Sequence, residues 1–156
     1  MFFINLNLFH NKKIIIFNLN NHKKSEPAPM KIGVPIKTST MLKIYHNTRC
    51  SKSRDVCTIL EKKKVKTEVI EYLKIPPTQS EIKELLKMLG MKAVDLVRKK
   101  EPLFLEKYEG KKLTEAQWIK AMAQHPILIE RPIVVKGKKA IIGRPPEKVL
   151  EFLKSK

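Results

Sequence analysis

A single cysteine among basic residues is the first feature of this sequence that could do chemistry. The stretch "YHNTRCSKSR", from Tyr45 to Arg54, contains Cys50, one of only two cysteines in the 156-residue chain. A thiol at the start of a helix, beside arginine and lysine, loses its proton easily, and such settings lower its pKa from about 8.5 to roughly 3.5–7.5. We therefore expect Cys50 to be a reactive nucleophile, and not a small buried hydrophobic residue.

The second cysteine, Cys57, is not expected to form a disulfide with Cys50. Seven residues along a helix return to nearly the same face, but they rise by about 10 Å. A disulfide requires Cα atoms within roughly 7 Å of each other. Cys57 is therefore expected to pack inward beside Val56 and Leu60. Ser53 occupies the position at which a C-x-x-C pair would have its second cysteine, so any thiol that resolves Cys50 must come from another molecule.

Two polar residues close to Cys50 have two interpretations each. His46 could act as a general base, or it could cap the end of a strand. Ser53 could donate a hydrogen bond to the thiolate, or it could serve only the first turn of the helix.

Three arginines lie in separate segments: Arg98 in "DLVRKKEP", Arg131 in "IERPIVV" and Arg144 in "IIGRPPE". Taken singly, each would usually be a solvated surface charge. Arg131 and Arg144, however, flank predicted strand ends near prolines, where a site facing the thiol would be built. Arginine offers planar, bidentate recognition of tetrahedral oxyanions.

The composition fits a globular protein in a reducing compartment. The chain is 42% hydrophobic and 31% charged, and its two cysteines are too few for a secreted disulfide framework, so we expect a cytoplasmic protein. The net formal charge of +18 suggests nucleic acid or an anionic membrane surface, or simply a solvated lysine-rich surface. The sequence has no apolar run long enough for a spanning helix, and its histidines and cysteines show no metal-ligand spacing.

Residues 1–40 differ in character from the rest of the chain. They contain one acidic residue, Glu26, against six lysines, and short apolar runs broken by asparagine. We expect an N-terminal extension over 1–40 and a single domain over 41–156. The extension could be an overlong start of the reading frame, a disordered tail or a targeting segment.

The hydrophobic periodicity of the domain alternates between strand and helix patterns. The predicted elements are a strand at 42–46, a helix at 51–64, a strand at 65–73, a helix from Thr78 to Gly90, a helix at 91–99, a helix that begins at Thr114 and ends before Pro126, a hairpin of 132–135 with 140–143, and a helix at 145–153. This order, β-α-β followed by helices and then β-β-α, is an α/β fold with the thioredoxin-like arrangement and a helical insertion. The sheet should be mixed, because the β-α-β unit requires parallel strands and the hairpin antiparallel ones.

Four segments in order, "YHNTRCSKSR", "LVRKKEP", "QHPILIERPIVV" and "IGRPPE", resemble the glutaredoxin-coupled arsenate reductases over essentially all of 41–156. The resemblance implies that Cys50 is the nucleophile and that His46 and Ser53 assist its thiol. It also implies a cis peptide bond before Pro132. The oxyanion cradle that it implies consists of Arg98, Arg131 and Arg144.

The same resemblance implies a reaction and its partners. The Cys50 thiolate attacks the arsenic of arsenate, glutathione as co-substrate attacks the adduct, and glutaredoxin clears the remaining mixed disulfide. No bound cofactor or metal is implied. One alternative is a thiol oxidoreductase of the same family with a different substrate. Another is a Spx-like regulator that binds RNA polymerase, although such regulators commonly switch through a C-x-x-C pair, which Ser53 interrupts. Binding of nucleic acid through the basic surface is a further alternative.

Overall fold

A computed structural model of the chain describes residues 41–155. The predicted extension over 1–40 lies outside the described residues, so the division into extension and domain stays a prediction.

The described part of the chain alternates strands and helices as the periodicity predicts. The elements are β1 (Leu42–His46), α1 (Ser51–Lys62), β2 (Thr67–Glu71), α2 (Gln79–Leu89), α3 (Pro102–Lys107), α4 (Glu115–Gln124), β3 (Ile133–Lys136), β4 (Lys139–Ile142) and α5 (Lys148–Lys154). Short 3₁₀ turns lie at Ala93–Leu96 and Pro126–Leu128. No helix within 41–155 is long and apolar enough to cross a membrane.

The four strands form one mixed sheet in the order β2-β1-β3-β4. Strand β1 runs parallel to β2 and antiparallel to β3, and β3 pairs with β4 as an antiparallel hairpin. Gly137, with a φ of 59°, provides the left-handed backbone that the tight hairpin turn needs. The predicted thioredoxin-like mixed sheet is confirmed.

The period-two alternation of the strands divides the core between the two faces of the sheet. On one face, Ile44 and Val134 pack with Val56 of α1 and Val149 of α5. The opposite face packs against α2 and α4, and its buried residues include Ile133, Val135, Ile82, Leu85 and Met122. This arrangement fixes the start of α1 at the end of β1, where the thiol lies.

Capping boxes define the starts of α2 and α4, as the sequence predicts. The Thr78 hydroxyl accepts from the Glu81 backbone N–H, and the Glu81 carboxylate accepts from the Thr78 backbone N–H. Thr114 and Gln117 repeat the motif. A cap of this kind typically contributes about 1 kcal/mol.

The predicted helix over 91–99 is wrong, because only Ala93–Leu96 forms a 3₁₀ turn. The chain beyond it pairs with the segment before β3: Val97 forms an isolated antiparallel bridge with Ile129, and the Arg98 backbone N–H donates to the Leu128 carbonyl at 2.8 Å. This long-range pairing competes with helix formation. It also carries Arg98 towards the segment that contains Arg131.

Two further differences from the predicted elements concern helices: one helix was not predicted, and another begins later than predicted. The sequence analysis did not predict α3, a six-residue helix with Pro102 in its first turn and no fully buried residue. The closing helix begins at Lys148, later than predicted, and both prolines precede it. Their carbonyls accept the first backbone N–H groups of that helix, from Lys148 and Val149.

Candidate active site

A short turn between β1 and α1 places Cys50 at the N-cap position of α1, as the sequence predicts. Asn47 organises this turn, since its carbonyl accepts from the Cys50 backbone N–H at 3.0 Å and its side-chain Oδ1 accepts from the Arg49 backbone N–H at 2.9 Å. Asn47 is buried, and the sequence analysis did not single it out. The signal that could have found Asn47 is an asparagine between a predicted strand and a predicted helix, because asparagine side chains often bond the backbone of a turn.

Cys50 occupies a helix cap without acting as a conventional cap. Its side chain forms no capping hydrogen bond to the first turn. A serine or aspartate oxygen at this position would accept from the N3 backbone N–H, which here belongs to Ser53. A neutral thiol is a weak acceptor, so the donor of the first turn stays available for a thiolate.

The electrostatic environment of Cys50 favours its thiolate. Burial alone would raise the pKa of the thiol, but the Ser53 backbone N–H, the Arg131 guanidinium and the Ser53 hydroxyl together lower it to about 7. The Ser53 hydroxyl is fully buried and has no formed hydrogen bond in this structure. The Ser53 hydroxyl can therefore donate a hydrogen bond to Cys50 when its thiol becomes a thiolate.

Two of the three predicted arginines lie at the thiol. Arg144 Nη2 is 3.6 Å from Cys50 Sγ, and Arg144 Nε donates to the Arg131 carbonyl at 2.7 Å. The buried Nε and Nη1 atoms of Arg131 have no hydrogen-bond partner among the described residues. A buried donor without a partner costs free energy, so the arrangement of Arg131 and Arg144 is suited to binding an anion.

The third arginine, Arg98, is held at the edge of the site. Its Nη1 forms an ion pair with Glu101 and donates to the Ile127 carbonyl at 3.2 Å. Both Arg98 and Arg131 act on the hydroxyl of Tyr72: burial raises the pKa of Tyr72, while the charges of Arg131 and Arg98 oppose that rise. The fold thus brings Arg131 and Arg144 to Cys50, and Arg131 and Arg98 to Tyr72.

Tyr72 is a site residue that the sequence analysis missed. It follows β2 directly, is almost fully buried, and its hydroxyl has no formed hydrogen bond in the described part of the chain. The sequence offered only a tyrosine at the end of a strand pattern, which is usually a core residue.

His46 contacts the second cysteine of the chain. Its Nδ1 is 3.4 Å from Cys57 Sγ, and this contact joins the end of β1 to the second turn of α1. Burial is the main cause that lowers the pKa of His46, so the ring is neutral near pH 7. Burial also raises the pKa of Cys57 to about 11, so its thiol stays protonated near pH 7. The structure therefore gives His46 a partner other than Cys50, and its predicted role as a general base for Cys50 stays a prediction.

The two cysteines are both free thiols. Cys50 is buried, so the expectation of a thiol that is not buried is wrong, although its pKa is lowered as expected. Cys57 is partly buried and packs against the core that contains Val56 and Leu60, as predicted. The peptide bond before Pro132 is cis, as the resemblance implies, and the bond before Pro145 is also cis. Within residues 41–155 no three histidine, cysteine, aspartate or glutamate side chains are placed to hold a metal ion.

Comparison with known proteins gives one family. The model of the ArsC family matches residues 45–152, which include Cys50, Arg98, Arg131 and Arg144. The chain belongs to the ArsC family. The predicted membership in the arsenate reductase family is therefore confirmed, and the match extends over the whole of the gathered site.

Individual relatives agree with this assignment. The chain is 47% identical over 114 residues to YfgD, an uncharacterized protein of Escherichia coli K12, covering 72% of this chain and 96% of YfgD. It is 41% identical over 110 residues to an arsenate reductase of Neisseria meningitidis serogroup A, covering 69% of this chain and 94% of that protein. The solved structure of an arsenate reductase from Vibrio cholerae is similar, with a TM-score of 0.69 and 44% identity over 72% of this chain and 97% of that one.

Proposed function

We propose that this ArsC-family protein reduces arsenate to arsenite, with Cys50 as the nucleophile. The observation that carries the proposal is a thiol of pKa about 7 facing buried, unpartnered donors of Arg131 and Ser53. A preorganised set of donors without partners stabilises negative charge that develops on a bound oxyanion. Arsenate is an oxyanion that a thiolate can attack, and it is the substrate named for several relatives.

The first step forms a sulfur–arsenic bond. The Cys50 thiolate attacks the arsenic atom, and an oxygen of arsenate leaves as water after it takes up a proton. Arg131 and Arg144 neutralise the remaining oxygens, and the Ser53 backbone N–H stabilises the thiolate before the attack. Arg98, held by Glu101, adds positive charge at the edge of the site.

The second step transfers two electrons. The thiolate of glutathione attacks the Cys50 sulfur, the sulfur–arsenic bond breaks, and its electron pair stays on arsenic, which becomes arsenite. Cys50 is left in a mixed disulfide with glutathione. Glutaredoxin then attacks the glutathione sulfur of this disulfide, so the Cys50 thiolate leaves and is restored. A second glutathione attacks the glutathione sulfur now bound to glutaredoxin, which releases glutaredoxin and forms oxidised glutathione. Cys57 takes no part, because burial raises its pKa to about 11 and keeps it as a thiol.

We also propose a reducing compartment, the cytoplasm, as the place of the reaction, since both cysteines must be thiols for this cycle to start. The regulator hypothesis is less well supported. A protein that only docks on a partner has no need for buried donors that stay unpartnered around a thiol.

The proposal is tested by measuring arsenite formed from arsenate with glutathione and glutaredoxin present. The parent protein should form one arsenite for every two glutathione molecules oxidised. The Cys50→Ser protein should form none above the level without enzyme. If the parent protein forms no arsenite under these conditions, arsenate is not the substrate.

A further inference from the structure

The buried side-chain atoms that lack a hydrogen bond are concentrated in one part of the molecule. Within residues 41–155 there are five such atoms, and they belong to Ser53, Tyr72, Glu130 and Arg131. Folded proteins pair nearly all of their buried polar atoms, so a cluster of unpaired ones indicates a functional arrangement. The proposed reaction uses Ser53 and Arg131, and it leaves the hydroxyl of Tyr72 without a role.

Tyr72 differs from an ordinary core tyrosine in its hydroxyl. Only 1% of its surface is exposed, and its ring belongs to the core that includes Leu96 and Ile133. The hydroxyl of a buried tyrosine usually finds a partner, and one without a partner only adds a cost of desolvation. A phenylalanine would fill the same space without that cost. The hydroxyl is therefore expected to have a partner in another state of the site.

The sheet brings Tyr72 and Arg131 to the two sides of the end of β1. Strand β1 lies between β2 and β3, and Tyr45 of β1 pairs with Ile70 on one side and with Ile133 on the other. Tyr72 and Arg131 each lie two positions beyond these partners, at the edge of the sheet where β1 ends. Their backbones are separated by about two strand spacings of 4.8 Å, a distance that a tyrosine and an arginine side chain can close together.

The guanidinium of Arg131 interacts with both the hydroxyl of Tyr72 and the sulfur of Cys50. Burial alone would lower the pKa of Arg131, but Tyr72 and Cys50 nearby raise it above its usual value. Two of its nitrogens, Nε and Nη1, are buried without a partner. The guanidinium of Arg144 is held differently, because its Nε donates to the Arg131 carbonyl at 2.7 Å. Arg131 thus has donors for two neighbours and no bond that fixes its orientation while Cys50 is a thiol.

We propose that Tyr72 is a positioning residue that holds the guanidinium of Arg131 against the Cys50 thiolate. The proposal rests on the proposed function of Cys50 as a nucleophile. When Cys50 loses its proton, the guanidinium turns towards the sulfur, and one of its buried N–H groups donates to the phenol oxygen of Tyr72. This bond exists only beside the thiolate, so it stabilises the thiolate relative to the thiol. Burial raises the pKa of Tyr72, so the phenol stays neutral and does not compete with the thiolate as an anion.

The test measures how the alkylation rate of Cys50 depends on pH, and it needs no arsenate. All variants carry Cys57→Ser, so iodoacetamide reports on Cys50 alone. Tyr72→Phe should raise the midpoint of the rate by about 0.5–1 pH unit, because the guanidinium is no longer held at the thiolate. Tyr45→Phe is the matched control, since it removes a hydroxyl from the neighbouring strand, and it should leave the midpoint unchanged.

Urea denaturation separates this role from a contribution to the core. Below the midpoint, where Cys50 is a thiol, Tyr72→Phe removes an oxygen that forms no hydrogen bond, so the free energy of unfolding should match that of the parent. A core residue without a positioning role predicts an unchanged midpoint. A midpoint that stays in place, or one that moves downward, would therefore overturn the proposal.

A double-mutant cycle tests whether Tyr72 acts through Arg131. Arg131→Gln should raise the midpoint by itself, and adding Tyr72→Phe to it should raise the midpoint no further, because the group that Tyr72 positions is already absent. Additive shifts would show that Tyr72 acts on the sulfur directly, and they would contradict the proposal.

The outcomes also separate this proposal from the proposed function. A protein that shows these midpoints but forms no arsenite has the positioned arginine and a different substrate. A protein that reduces arsenate while Tyr72→Phe titrates like the parent has the enzyme function, and its Tyr72 only fills the core.

Discussion

At the scale of single residues, the surroundings of the two thiols shift their pKa values in opposite directions. Cys50 and Cys57 lie on one helix, yet the pKa of the first is lowered to about 7 and that of the second is raised to about 11. The two pKa values differ because hydrogen-bond donors surround only one of the thiols. Both thiols are partly desolvated, but only Cys50 has the Ser53 N–H and Arg131 beside it. The sequence predicted the lowered pKa of Cys50, because basic residues and a helix start surround it, and it predicted only inward packing for Cys57.

Removal of each thiol should have different consequences. Cys50→Ser should abolish arsenate reduction, because a hydroxyl is far less ionised than a thiol and cannot form the mixed disulfide. Cys57→Ser should keep most of the activity and lose only some packing and the contact with His46. Arsenite formation by both variants is the measurement. Equal loss from both would contradict a cycle that takes its second thiol from another molecule.

The pH dependence of alkylation reports on the pKa of Cys50. In the Cys57→Ser background the rate with iodoacetamide should rise with pH through a midpoint at about 7, since only the thiolate reacts. Arg131→Gln removes a cation that favours the anion, so it should move the midpoint upward. Lys62→Gln should leave it in place. A midpoint at the ordinary thiol value of about 8.5 in the parent would contradict the electrostatic account.

At the scale of elements, the positions of the site residues depend on backbone pairing between distant segments, which hydrophobic periodicity does not reveal. The strands and most helices were predictable because their buried faces follow periods of 2 and 3.6. The pairing of Val97 with Ile129 was not, since it joins two segments 32 positions apart and replaces a predicted helix. The position of Arg98 depends on this pairing, so the sequence could name the arginine but not the structure that holds it.

Gly143 shows how closely the elements approach behind the site. A Cβ at this position would lie 2.9 Å from Val56 Cγ2 on α1 and 3.2 Å from Pro132 Cγ. Val56 is fully buried and stiff at χ1, so it cannot easily move away. Gly143 therefore allows β4 to end against α1, with Arg144 directly after it.

Gly143→Ala should consequently destabilise the fold by about 1–3 kcal/mol, the usual effect of overpacking a buried site. It should also lower arsenate reduction beyond what unfolding explains, because Arg144 would be displaced from Cys50. Urea denaturation and kcat/KM are the two measurements. Lys138→Ala in the exposed hairpin turn is the control and should stay within about 0.5 kcal/mol of the parent. A variant as stable as the parent would show that the close approach is not needed.

At the scale of the whole molecule, the fold makes one site from residues that are far apart in sequence. Cys50 comes from the start of α1, Arg98 from the chain after the first 3₁₀ turn, and Arg131 and Arg144 from the two sides of the hairpin. The sequence predicted these four as a group through the family resemblance. Tyr72 escaped prediction, because nothing local distinguishes it from a core residue.

The role of residues 1–40 is also a question for the whole molecule. The family match begins at residue 45 and the described fold begins at 41. A shortened chain that starts at Met41 should therefore keep both the melting temperature and the arsenate reduction of the full chain. Thermal denaturation and the arsenite assay measure the two properties. A clear drop in either would show that the first forty residues contribute to the domain.

The central claim is that three arginines from separate segments form one oxyanion site around a reactive thiol. Its most direct test is kcat/KM for arsenate in Arg98→Lys, Arg131→Lys and Arg144→Lys, with Lys62→Ala as the control. Lysine keeps the charge but loses the bidentate fork, so a lost charge-assisted contact of about 1.5–3 kcal/mol should lower kcat/KM by roughly ten- to a hundredfold. The melting temperatures should change far less, and the control should match the parent. If all three lysine variants reduce arsenate as well as the parent does, the arginines do not form the site and the catalytic account fails.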